Sequence, residues 1–138
     1  MSAMSKICDI SPIPIALDEE LIGVNYIRER EHLIDQIKPQ YIILKPALCG
    51  GFSGSDEWIS LAKDREIGWW ATSALESNIG LNAIAQWVTS YNLRLPQGLG
   101  TGQLYINNIT SPLVQERDVL QYNPHAKWEI PSLNWVNP

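Results

Sequence analysis

Tyr41-Ile42-Ile43-Leu44-Lys45-Pro46 decides the reading of this chain. Four apolar residues, aromatic and β-branched among them, form a short strand. The run is continuous rather than alternating, which suits a strand buried on both faces of a parallel sheet. It stops at a charged, proline-bearing tip. Three other runs share that design: Ile13–Leu17, Ile67–Ala71 and Leu93–Pro96, the last being the weakest. Their tips carry Asp18-Glu19, Thr72-Ser73 and Gly98-Leu99. From Asp18 to Lys45, Lys45 to Ser73 and Ser73 to Gly98 the chain advances 27, 28 and 25 residues.

That beat matches a repeated strand-plus-helix unit. A barrel of eight such units takes roughly 250 residues, so one unit takes about 30. The 138 residues therefore hold about four units, or half a closed barrel. The predicted fold class is α/β, a partial (β/α)8 barrel with an irregular C-terminal tail. The expected division is 1–102 for the barrel half and 103–138 for the tail. Chemistry in such barrels sits at the C-terminal ends of the strands, so the tips are where function is sought.

Helices fill the intervals. Met1–Ile10 reads as a helix with Met4, Ile7 and Cys8 on one face, ended by Ser11-Pro12. It opens in mid-pattern, as a cut chain would. Leu33, Ile34 and Ile37 mark a helix over Asn25–Lys38, stopped by Pro39. After Cys49-Gly50-Gly51-Phe52-Ser53-Gly54, Ser55 is the expected cap of a helix with Asp56 and Glu57 in its first turn and Trp58, Leu61 and Ala62 inward. Leu81, Ile84, Ala85 and Val88 define a fourth helix capped by Ser77 or Asn78. Beyond Gln103 the periodicity is lost among Pro112, Pro124 and Pro131, with aromatics from Tyr122 to Trp135.

Composition excludes several classes. Net charge is −5 with no Lys/Arg cluster, which argues against a nucleic-acid partner. No apolar stretch of about 18 residues and no signal peptide appears, so neither a membrane nor an export route is expected. Cys8 and Cys49 form no C-x-x-C pair and read as reduced thiols of a cytoplasmic chain. Without a secretory signal, Asn108-Ile109-Thr110 reads as a chance glycosylation match. The loop Cys49–Gly54 lacks the G-x-x-x-x-G-K-[ST] pattern of a nucleotide site. His32 and His125 lie far from any tip, and the tryptophans Trp58, Trp69, Trp70 and Trp87 read as packing.

At the tips each residue admits two readings. Asp18-Glu19-Glu20 is a Mg²⁺ ligand site or the acidic start of a helix. Lys45, among apolar neighbours, is a desolvated base, a Schiff-base former or a cation facing an anionic intermediate; the plain alternative is a lysine snorkelling to solvent. Thr72-Ser73 and Gly98-Leu99 offer hydroxyls and backbone N–H groups for a carboxylate or phosphate, or serve as turns and caps.

Taken as a set, the tips resemble a known family. Ile15-Ala16-Leu17-Asp18-Glu19, Ile43-Leu44-Lys45-Pro46-Ala47-Leu48, Thr72-Ser73-Ala74-Leu75-Glu76-Ser77-Asn78-Ile79-Gly80-Leu81 and Gly98-Leu99-Gly100-Thr101 resemble the C-terminal half of the o-succinylbenzoate synthases, a family of the enolase superfamily. The resemblance runs from about Ser5 to about Ile130. The K-P-x-L-x-G and E-S-x-x-G-L forms favour this family over its relatives, the muconate cycloisomerases, dipeptide epimerases and N-acylamino acid racemases. It implies a lyase that dehydrates a cyclohexadiene carboxylate through an enediolate, a step of menaquinone synthesis. It also implies Mg²⁺ held by Asp18, with Glu19 beside it, Lys45 facing the enediolate, and Thr72, Ser73, Gly98 and Leu99 around the succinyl part of the substrate. The family also needs two further carboxylate ligands and a lysine-x-lysine pair that supplies the base. The lysines here, Lys6, Lys38, Lys45, Lys63 and Lys127, form no such pair. The expectation is a section that is inactive alone and partners a missing N-terminal half and capping domain, on which 103–138 would pack. A non-catalytic half-barrel that self-associates through open sheet edges is the alternative.

Overall fold

A computed structural model describes residues 3–130; Met1, Ser2 and the expected tail features at Pro131 and Trp135 lie outside them. Its contacts divide the chain into two compact units, one of residues 1–74 and 92–98, the other of 75–91 and 99–138. Among the described residues no helix is long and apolar enough to cross a membrane.

The first unit is built on three parallel strands in the order β1-β2-β3: Ala16–Leu17, Tyr41–Leu44 and Gly68–Ala71. Parallel neighbours require crossovers, supplied by α2 (Ile27–Ile37) and α3 (Gly51–Asp64), with α1 (Ala3–Ile10) preceding β1. Ala16 pairs with Tyr41 and Leu17 with Ile42; Tyr41 to Leu44 then pair in step with Gly68 to Ala71. Leu17, Ile42, Leu44 and Ala71 are wholly buried, and Ile34, Trp58, Leu61 and Ala62 complete that side of the core. The other face, with Tyr41, Ile43 and Trp70, is only half-buried, so the continuous runs are not covered on both sides as expected. There the Tyr41 and Trp70 rings stand 5.7 Å apart, and the Tyr41 ring occupies the space a Cβ on Gly68 would need.

Several expected boundaries move for identifiable reasons. The first strand shrinks to Ala16–Leu17 because Ile13 and Pro14 are exposed and Pro14 has no N–H to donate. The fourth strand, Leu93–Pro96, does not form; Gly98 alone bridges Thr72 in parallel. The Gln97 side chain takes the Ala71 N–H (2.8 Å) that a longer fourth strand would use, and Pro96 has none to give back. Helix α3 starts a turn early, at Gly51, since Gly50 and Gly51 accept φ of +89° and +73°. Ser55 is therefore not its cap: it is fully buried and donates to the Gly51 carbonyl (2.9 Å). Helix α2 ends as expected, with Lys38 left-handed (φ 55°) ahead of Pro39. On α1, Cys8 is buried but Ile7 is 46% exposed, so the apolar face is narrower than its spacing suggests.

The second unit contains α4 (Asn78–Thr89), with Leu81, Ile84 and Val88 buried as the spacing predicts. Ser77 stands at its cap position without a side-chain capping bond. Asn78 ties the helix start to a following loop, its N–H donating to Asn108 Oδ1 (2.8 Å) and its Nδ2 to the Ile109 carbonyl (2.6 Å). Within the otherwise irregular stretch after Gln103, Leu113–Glu116 (β4) and Val119–Tyr122 (β5) form an antiparallel hairpin. Its turn is Arg117-Asp118, with Arg117 at φ 57°. The usual Asn-Gly or Asp-Gly signal is absent there.

Candidate active site

Asp18 follows Leu17 at the end of β1, and Lys45 follows Leu44 at the end of β2. The register pairs Leu17 with Ile42, so Asp18 stands level with Ile43. Side chains alternate along a strand, so Ile43, Lys45 and Asp18 share one face. Lys45 Nζ lies 2.9 Å from Asp18 Oδ2, 2.8 Å from Oδ1 and 3.1 Å from Glu19 Oε1. The Lys45 side chain is 17% exposed and that of Asp18 28%, against 75% for Glu19. Asp18 is thus the sheltered partner and Glu19 the solvent-side one. The backbone N–H of Asp18 donates to Glu20 Oε2 (3.2 Å), which fixes the turn at the tip.

These contacts favour the charged form of Lys45. The hydrogen bond to Asp18 raises its pKa above the ordinary lysine value; partial burial opposes this, and Glu19 adds to the rise. The Lys45 hydrogen bond in turn lowers the pKa of Glu19. Of the readings open at Lys45, this arrangement favours the cation, an ammonium held by two carboxylates, over a desolvated base or Schiff-base former.

The third and fourth tips meet beside it. Thr72 N–H donates to the Leu44 carbonyl (2.8 Å), carrying the ladder one step past β3 and placing Thr72 on the Lys45 face. Gly98 N–H donates to Ala71 O (2.8 Å), and Ser73 N–H to Gly98 O (3.0 Å). A Cβ on Gly98 would fall 2.7 Å from Thr72 Cγ2, so the close approach depends on glycine. Ser73 is buried. Thr72 Oγ1 is buried without a hydrogen-bond partner, a polar oxygen left open on the rim, whereas both Asp18 carboxylate oxygens lie within 2.9 Å of the Lys45 ammonium. Leu99, also buried, falls in the second unit.

The residues present do not make a complete metal site. Among the described residues no group of three or more His, Cys, Asp or Glu is placed to hold an ion. Asp18 is a single carboxylate already paired with Lys45, and Mg²⁺ asks for several oxygens in octahedral array.

Sequence reasoning missed Arg30. It is 3% exposed, stacks over Trp58 at 5.2 Å and is hydrogen-bonded on two sides. The signal was available: Arg30, Ile34 and Ile37 share one helical stripe at i, i+4, i+7.

Parallel strands, crossover helices and polar tips on one rim define part of a (β/α)8 barrel. The comparisons agree. The muconate lactonizing enzyme from Pseudomonas putida superposes with a TM-score of 0.72 at 21% identity, over 85% of this chain and 32% of that one. The nearer relatives are specific. An o-succinylbenzoate synthase of Desulfotalea psychrophila is 56% identical over 119 residues, 86% of this chain and 32% of the relative. The crystal structure of MenC from Desulfotalea psychrophila LSv54 matches with a TM-score of 0.81 at 56% identity, over 85% of this chain and 33% of that one. No protein-family model matches the chain. The chain thus has the fold of part of a (β/α)8 barrel and is similar over most of its length to about one third of an o-succinylbenzoate synthase. It spans about a third of the length of the curated relative it matches.

Proposed function

We propose that these residues are the strand-tip section of an o-succinylbenzoate synthase that carries the Lys45 cation, one metal ligand and part of the substrate pocket. The observation that carries this reading is the Asp18–Lys45 pair, 2.8 Å apart at adjacent parallel strand tips. The substrate is a cyclohexadiene carboxylate. Removing the proton α to its carboxylate creates a dianionic enediolate, and expulsion of the β-hydroxyl as water completes the dehydration. Lys45, kept protonated by Asp18 and Glu19, offsets the charge that develops, which is the electrostatic role a fixed ammonium fills best. Thr72 Oγ1, Ser73 and the backbone at Gly98 hold the succinyl arm. Asp18 contributes one ligand to Mg²⁺, completed by carboxylates outside these 138 residues; the bound ion would supply further charge stabilisation. The base also comes from outside them. The reaction is cytoplasmic, and both cysteines remain free thiols.

The test is complementation. The chain is mixed with the remaining N-terminal portion of the Desulfotalea psychrophila relative and Mg²⁺, and product absorbance is followed. Recovery above either part alone, abolished by Lys45→Ala, supports the reading. Recovery untouched by Lys45→Ala, or none at all, counts against it. Dehydration outpacing cycloisomerisation of muconate and epimerisation of dipeptides separates this assignment from its superfamily relatives. The half-buried face of Tyr41, Ile43 and Trp70 favours a second reading, a self-associating module. Size-exclusion chromatography addresses it: a well-behaved monomer argues against that module.

A further inference from the structure

Two loops carry the Asp18–Lys45 pair, and one buried guanidinium touches both. From Asp18 a run of turn bonds leads onward: Leu21 N–H to Asp18 O (3.2 Å), Ile22 N–H to Glu19 O (3.1 Å) and Val24 N–H to Leu21 O (3.4 Å). From Lys45 a second run begins, with Leu48 and Cys49 N–H to Lys45 O (2.8 and 3.0 Å), Gly51 N–H to Pro46 O (2.9 Å) and Gly54 N–H to Gly50 O (3.2 Å). Arg30 joins their far ends. Its Nε donates to Val24 O (2.9 Å), and its Nη1 to Gly54 O (3.0 Å) and Glu57 Oε2 (2.6 Å). Nη2 stands 3.3 Å from where a Cβ would sit on Gly50 or Gly54, so the glycine turn is shaped around the guanidinium.

We infer that Arg30 is a positioning residue: by bonding the carbonyls of Val24 and Gly54 at once, it sets the two strand-tip loops in register so that Lys45 meets Asp18. A guanidinium has the rigid fork to do this; an ammonium at the same place has the charge but not the span. The inference rests on the functional reading only for the pair's importance. Its test reads the pair's geometry, not turnover, so either can fail alone.

The experiment observes the lysine side-chain ¹⁵Nζ–Hζ signals of the full ¹⁵N-labelled chain at fixed neutral pH and low temperature, with the Lys45 peak assigned by its loss in Lys45→Met. An ammonium held between carboxylates exchanges slowly enough to be seen. In Arg30→Lys the Lys45 peak should vanish or move to the position of an exposed lysine, while circular dichroism stays native. Arg65→Lys is the control, because Arg65 also joins α2 to α3, through Asp35 (2.6 Å), away from the tips. It should leave the Lys45 peak in place. An unchanged peak in Arg30→Lys, or equal loss in Arg65→Lys, overturns the inference. A second measurement needs no variant. Amide hydrogen exchange of the unaltered chain should show Leu21, Ile22, Leu48 and Cys49 opening together with matched protection. Independent opening of the two loops refutes the coupling even if Arg30 variants do not fold.

Discussion

Gly98→Ala probes whether the fourth tip truly lies against the third. The added Cβ would meet Thr72 Cγ2 at 2.7 Å, its Cβ at 3.0 Å and its Cα at 3.4 Å. The first of these is far inside van der Waals contact, and Thr72 is β-branched with little rotamer freedom to yield. Overpacking of this kind costs about 1–3 kcal/mol. At roughly 4 °C per kcal/mol for a domain of this size, the melting midpoint should fall by about 4–12 °C. The cause is one methyl group, so Thr72→Ser in the same chain should relieve it. Thr72→Ser alone removes that methyl with little effect, and the double variant should recover on the order of 1 kcal/mol relative to additivity, within the usual range for residues in contact. Urea or thermal denaturation of the four chains gives the coupling directly. If Gly98→Ala is neutral, or if Thr72→Ser does not rescue it, Gly98 does not approach Thr72 and the fourth tip is not part of the rim.

The Lys45 ion pair predicts a pH dependence with a definite sign. The folded pKa of Lys45 is raised above 10.5, so its contribution to stability is present below that value and is lost as pH rises through the folded value. The folded pKa of Glu19 is lowered below 4.5, so its contribution is present above that value and fades as pH falls through the folded value. Lys45→Met should therefore flatten the alkaline limb of a stability–pH profile measured by urea denaturation; an identical limb in both chains would exclude the pair. Millimolar Mg²⁺ should leave the melting midpoint of the isolated 138 residues nearly unmoved, because one carboxylate binds the ion weakly and stabilisation grows only as the logarithm of occupancy. A shift of several degrees in a fluorimetric melt, reversed by Asp18→Asn, would show a fuller site than the described residues contain.

Much of the first unit was legible because its signals are local and redundant. The strand Tyr41–Leu44 has the right residue types, a proline after its tip and flanking helices with clean stripes, and it stands where expected. The fourth strand failed because a side chain, Gln97, intercepts the ladder, and no periodicity announces that substitution. The helix after Cys49 starts ahead of the Ser55 cap signal because Gly50 and Gly51 adopt positive φ. The hairpin after Ser111 carried no turn glycine, so its alternation had nothing to anchor it. At the candidate site the tip positions were readable, but the protonation state of Lys45 was not. Local sequence shows its apolar neighbours, whereas the opposing Asp18 comes from a strand tip 27 residues earlier.

An unpaired ammonium behind an apolar strand would drift toward neutrality and lose its value as a fixed charge. Asp18 prevents this, with Oδ1 and Oδ2 both within 2.9 Å of Nζ. Glu19, exposed and bonded to the same Nζ, adds a second carboxylate that favours the protonated lysine. The order Asp-Glu at the tip of β1 thus sets two carboxylates on one ammonium, Asp18 sheltered and Glu19 exposed. Glu19→Gln should consequently weaken complementation more at alkaline than at neutral pH. A uniform loss across pH would mean that Glu19 acts on the site directly rather than through Lys45.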